Sequence, residues 1–111
     1  MTPAIIDTAT FTELQDTAGA EFAAELVGTF LEEAPEMLAE LRAARGEGAV
    51  DRFRRAAHSL KSNSQTFGAT ELAALARELE LGGMPTSDTP LLTLETAYTR
   101  AAEALRALSH G

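Results

Sequence analysis

The sequence predicts an all-α fold: an antiparallel up-down four-helix bundle with a short additional N-terminal helix. Three observations carry that expectation. Apolar residues recur at intervals of three and four in four long stretches, which is the period of one helix face. The stretches are separated by short, mostly glycine-based breaks, so consecutive helices must double back on one another. Hydrophobic residues make up 45% of the 111 residues but aromatic ones only 5%, with no Trp, a composition suited to a helical core built from Ala and Leu. A chain of this length supports one domain and is too short for two.

The first helix is expected to start at Thr10 as N-cap, with Glu13 three residues later completing a capping box. It carries Phe11 and Leu14, ends at Gly19, and is too short to be stable unless packed on something larger. The second runs from about Ala20 to Arg45 and is stopped by Gly46, with Phe22, Leu26, Phe30, Ala34, Met37 and Leu41 as its apolar stripe. Pro35 falls in its middle, but the stripe stays in phase across it, so one kinked helix is expected rather than two. Glu32, Glu33, Glu36 and Glu40 make its solvated side.

The third helix spans about Ala49 to Phe67 and is ended by Gly68. Phe53, Ala56, Ala57, Leu60, Ser64 and Phe67 fall inward; Arg54, His58, Lys61, Ser62 and Gln65 fall outward. The fourth covers about Thr70 to Leu81, with Leu72, Leu75, Ala76 and Leu79 inward and Gly82-Gly83 as its stop. A loop, Met84–Asp88, leads to the fifth, which opens with Thr89 as N-cap and Pro90 at the first helical position. Leu91, Leu94, Tyr98, Ala101, Leu105 and Leu108 form its seam.

Several function classes fall away. Without cysteine there is no disulfide frame, thiol chemistry or Cys-based metal site. Two histidines cannot build a closed metal site, and the repeated Glu-x-x-His pairs of carboxylate-bridged bundles are missing. No glycine motif for nucleotide phosphates is present, so ATP chemistry is not expected. The N-terminus lacks the basic start and apolar core of a signal peptide, and no apolar run reaches membrane-spanning length. A cytoplasmic protein is the resulting expectation. The formal charge of −8 disfavours nucleic acid and anionic lipid as partners. Yet between Asp51 and Ala69 four basic residues face Asp51 alone, a local net of +3 that leaves −11 on the remainder. A basic patch on an acidic body suits an acidic partner surface or a phosphate, although a mixed, solvated helix face would look the same.

Within that patch, His58 and Lys61 stand out. Lys61 is the only lysine in the chain, and His58 the only histidine outside the C-terminal tail. Three residues apart on a helix, they share a face. Ser62 beside them is small and leaves the imidazole open to an approaching group. The turn after the third helix centres near Ala69; His58 lies eleven residues before it and Glu80 eleven after. Antiparallel packing should therefore bring Glu80 to His58, where a hydrogen bond would hold the proton on Nδ1 and leave Nε2 as a nucleophilic lone pair. Taken singly, each residue has an ordinary reading as solvated surface; the combination is what points to phosphate chemistry.

The run Ala57-His58-Ser59-Leu60-Lys61-Ser62-x-Ser64-x-x-x-Gly68-Ala69 resembles the signature of histidine-containing phosphotransfer (HPt) domains, the His relay modules of multistep two-component signalling. The segments Phe30–Leu38, with its mid-helix proline, and Leu75–Glu80 are similar to the family's second and fourth helices, so the resemblance covers nearly all of a single domain over 1–111. It implies that His58 is phosphorylated through Nε2, that Lys61 stabilises the phosphoryl oxygens, and that Glu80 orients the imidazole. Gln65 would be a polar neighbour, and Ala57, Ser62, Phe11 and Arg54 would contribute to docking. Ser62 stands where many members have Gly, which narrows docking clearance slightly. The N-terminal domain of the chemotaxis kinase, glycine-rich after its lysine, is a poorer match because this chain has Asn63-Ser64-Gln65 there.

The resemblance further implies response-regulator receiver domains or a hybrid sensor histidine kinase as partners, and a monomeric carrier rather than an autonomous enzyme. It implies no cofactor of the domain's own, with Mg2+ in the partner receiver. The competing reading is a non-catalytic four-helix adaptor that binds a signalling partner through the same face.

Overall fold

In the computed structural model, residues 5–110 are described, the side chain of His110 excepted. Five helices follow one another: α1 (Thr8–Ala18), α2 (Ala20–Glu47), α3 (Val50–Thr66), α4 (Thr70–Gly82) and α5 (Thr89–His110). No strand occurs among the described residues. Helices α2 to α5 close a ring, α2 on α3, α3 on α4, α4 on α5 and α5 on α2, while α1 lies over α2 and α3. Cross-links show the α2–α5 pair running antiparallel. Arg45 meets Asp88, Arg42 meets Glu95, and the Leu31 carbonyl meets Tyr98, one partner climbing as the other descends.

α1 begins earlier than Thr10. Asp7 is its cap, accepting the Ala9 N–H at 3.1 Å and the Thr10 hydroxyl at 2.9 Å. Both residue types can cap, but starting at Asp7 gives an extra turn and places the Asp7 N–H 2.7 Å from the Gly68 carbonyl. Similarly, α2 runs through Gly46 and stops at Gly48, which takes the left-handed conformation (φ 69°) and donates to the Ala44 and Arg45 carbonyls. α5 starts at Thr89, with the Asp88 carbonyl accepting the Leu92 N–H at 3.0 Å.

The apolar stripe of α2 is Ala23, Val27, Phe30, Ala34, Leu38, Leu41 and Ala44, not the one that starts at Phe22. Phe22 is 52% exposed, and Leu26 and Met37 are half-buried at the edge. Counting back from Phe30 in helical steps reaches Val27 and Ala23; a bulky side chain one position off the stripe cannot follow it inward. α2 continues unbroken through Pro35. Proline has no N–H to give the carbonyl four residues earlier, that of Leu31. The Tyr98 hydroxyl of α5 donates to that carbonyl instead, at 3.3 Å.

The inward residues of α3, namely Phe53, Ala56, Ala57, Leu60, Ser64 and Phe67, are all buried. They meet Leu72, Ala76 and Leu79 of α4 and Leu91, Leu94, Ala101 and Leu105 of α5 in one continuous core. Phe67 packs on Phe30 with ring centroids 5.1 Å apart. α3 is thereby held on its inner side, and its outer side is left free.

Candidate functional site

The site is built on the α3–α4 hairpin. Its turn is tight: the Ser64 carbonyl accepts the N–H groups of both Phe67 and Ala69, at 3.3 and 2.9 Å. Gly68 between them takes φ +76°, and a Cβ there would lie 2.7 Å from the Asp7 carbonyl oxygen. Only glycine fits both the backbone angle and the gap. Such a two-sided constraint fixes the register of the hairpin, and the register fixes which residues face one another further along.

At the expected distance from the turn, Glu80 faces His58. Nδ1 of His58 is 2.6 Å from Glu80 Oε2, and Nζ of Lys61 is 2.8 Å from Glu80 Oε1. One carboxylate thus bridges the imidazole and the ammonium. The Lys61 ammonium, and after it the His58 ring, hold the Glu80 carboxyl below the usual carboxylate range, against a smaller opposing effect of burial. Since the carboxylate only accepts, Nδ1 carries the hydrogen and donates. Nε2 is left with its lone pair. The His58 side chain is 56% exposed, whereas those of Lys61 and Glu80 are 19% and 14% exposed. The ring therefore stands out from a sheltered charged base.

A cavity of about 450 Å³ beside the ring is lined by Arg54, Arg55, His58, Ser59 and Glu80. Arg55 and Ser59 also border a groove of about 490 Å³ between α2 and α3, whose α2 wall carries Glu33, Glu36, Met37 and Glu40. Arg54 is exposed and 3.5 Å from Asp51. Ser62 is exposed one turn beyond His58, so no large side chain covers the ring there.

Three expected neighbours lie elsewhere. Phe11 is 3% exposed and Ala57 is fully buried; both belong to the core and present no surface to a partner. Phe11 turns inward because α1 is a single layer with one face to bury, and Ala57 because it shares the stripe of Phe53 and Leu60. Gln65, two turns beyond His58, lines a different cavity with Thr10, Gly68, Thr70 and Arg77 at the turn end of the hairpin. Conversely, Arg55 and Ser59 border the ring without having been singled out. The i,i+3 rule that links Lys61 to His58 also places Arg55 there from the other side. Among the described residues, no group of three or more His, Asp or Glu side chains is arranged to hold a metal ion.

The Hpt domain family model matches residues 25–107, a span that includes α3, α4 and all three members of the bridged cluster. The chain belongs to the Hpt domain family. It is a histidine phosphotransfer protein of the phosphorelay type. Two solved Hpt structures share its fold. Histidine-containing phosphotransfer protein B (HptB) from Pseudomonas aeruginosa superposes with a TM-score of 0.90 at 23% identity, covering 98% of this chain and 97% of that one. The HPT domain of a sensor hybrid histidine kinase from Shewanella gives 0.72 at 19% identity, covering 91% and 89%. Comparison with curated protein sequences gives no significant match. Hpt domains work with receiver domains and hybrid kinases. No described helix of this one is long and apolar enough to cross a membrane.

Proposed function

We propose that His58 is the phosphoacceptor of this Hpt domain, taking a phosphoryl group from a receiver-domain aspartate and passing it to another receiver. The observation that carries this reading is a half-exposed imidazole whose Nδ1–H is held by an ionised Glu80. In the forward step the Nε2 lone pair forms a bond to phosphorus, and the bond from phosphorus to the aspartyl oxygen breaks. The aspartate leaves as a free carboxylate. The proton on Nδ1 stays in place, so the phosphorylated ring carries positive charge, which the Glu80 carboxylate offsets across 2.6 Å. Lys61 is placed to stabilise charge on the equatorial oxygens as they pass between the two proteins. The reverse step uses the same groups.

The domain needs no cofactor of its own in this scheme; Mg2+ belongs in the acidic pocket of the partner receiver. Docking falls to the exposed surface around the ring, with Ser62 as clearance and Arg54 at the rim. The domain acts as a cytoplasmic monomer that meets one receiver at a time.

The test is incubation with a phosphorylated receiver and Mg2+. The native protein gains an acid-labile, base-stable label, and His58→Gln gains none while keeping its helical circular dichroism. Labelling that persists in His58→Gln would overturn the site. Failure of the native protein to take label from any receiver would favour the adaptor reading.

A further inference from the structure

We infer that Arg55 is a second anion-binding residue of the His58 site, holding the phosphoryl oxygens from the side of the ring opposite Lys61. The inference rests on the phosphotransfer reading and adds a residue to it.

Four cations lie on α3, and the structure distinguishes them. Arg52 is tied to Glu40 and Glu47. Lys61 is tied to Glu80, and Arg54 lies near Asp51. Among the described residues, Arg55 alone of the four has no carboxylate within ion-pair distance. It is exposed and borders both the His58 cavity and the adjoining α2–α3 groove. Its backbone is fixed by the buried Ala56 and Ala57 that follow it.

Charge explains why an uncommitted cation belongs there. With the ring neutral, Lys61 and Glu80 cancel. A phosphoryl group brings two negative charges and leaves one positive charge on the ring, so the loaded site holds one negative charge in excess. Lys61 helps hold the phosphoryl oxygens, but its single positive charge is already counted in that balance. Arg55, on the same face at i−3, supplies the difference; its planar fork also matches two phosphoryl oxygens at once.

A small donor separates this role from docking. Phosphoramidate phosphorylates the imidazole directly: the bond from Nε2 to phosphorus forms, the P–N bond of the donor breaks, and ammonia leaves with a proton. The rate of labelling is measured for the native protein, Arg55→Ala and Arg55→Lys, alongside binding of each to an unphosphorylated receiver. Arg55→Ala is expected to label about three- to tenfold more slowly with phosphoramidate, the size of one exposed charge-assisted contact, and Arg55→Lys to recover part of that loss. An unchanged phosphoramidate rate in Arg55→Ala overturns the inference; if receiver binding alone weakens, Arg55 is a docking residue. If the native protein takes label from neither phosphoramidate nor a phosphorylated receiver, the phosphotransfer reading itself fails.

Discussion

Glu80 is the residue on which the site turns, because its two oxygens serve two different partners. Its contact with His58 could be read from the sequence, since equal spacing on either side of Ala69 leaves little choice of facing residue. Its contact with Lys61 could not be. A lysine on an acidic protein has many possible carboxylates within reach, and only the packing of α3 on α4 chooses among them. That second contact alters the expected role of the lysine. An ammonium already paired to Glu80 contributes its charge without freedom to roam, so Lys61→Ala removes a fixed dipole as well as a cation. We expect transfer from a phosphorylated receiver to slow roughly tenfold or more, with receiver affinity nearly intact, since charge developing at phosphorus is felt in rate rather than in binding. Titration of receiver binding alongside single-turnover transfer checks it; equal losses in both would reassign Lys61 to docking. At Ala57 the resemblance and the helical period disagree, and the structure sides with the period. The family resemblance implies docking for Ala57, yet the helical period places it inward with Phe53 and Leu60, since neighbours on a helix are about 100° apart and point to different sides.

Among the elements, α3 was the most legible and α2 the least. α3 has a strongly two-sided pattern, so its buried residues follow directly from its period. α2 carries apolar residues around more of its circumference, and a stripe drawn through the largest of them missed Val27 and Leu38. Pro35 was expected to kink α2 and did not divide it; what the sequence does not reveal is the partner on another helix. The Tyr98 hydroxyl reaches the Leu31 carbonyl that the proline leaves without an N–H. Burial also raises the Tyr98 pKa above its ordinary value, keeping the hydroxyl a donor. The pair predicts a non-additive cycle. Tyr98→Phe should cost about 1 kcal/mol in urea unfolding while Pro35 is present, and clearly less when Pro35→Ala restores the helix bond. Equal costs in the two backgrounds would show that the hydroxyl does not serve this carbonyl.

The whole molecule measures 41 × 31 × 19 Å, its shortest dimension matching two layers of helices. Its surface ion pairs join helices that the core already joins: Arg42 with Glu95 and Arg45 with Asp88 link α2 to the start of α5, and Arg100 with Glu71 links α5 to α4. Such pairs carry a pH signature. Arg42 forms two hydrogen bonds to Glu95, at 2.7 and 2.6 Å, and holds its carboxyl below the ordinary value of 4.5. A depressed folded-state pKa contributes stability that is full above the unfolded value and lost as pH falls through the folded one. Glu95→Gln should therefore destabilise the protein at about pH 7 by under about 1 kcal/mol, and the gap from the native protein should narrow as the pH falls below 4.5. Urea unfolding across a series of pH values reads this directly; a gap that stays constant into acid would mean packing rather than charge. The ring of helices itself was legible from the spacing of breaks, because connections this short admit only antiparallel neighbours. Which carboxylate pairs with which arginine was not, since exposed side chains are placed by small energies.

The hydrogen bond from Asp7 to the Gly68 carbonyl also decides which end of the molecule the first turn of α1 occupies. It pins the start of α1 to the turn of the α3–α4 hairpin, ten residues along α3 from His58, or about 15 Å at the helical rise. A label or linker placed at an exposed position of that first turn, such as Thr8, therefore leaves the His58 imidazole facing the solution.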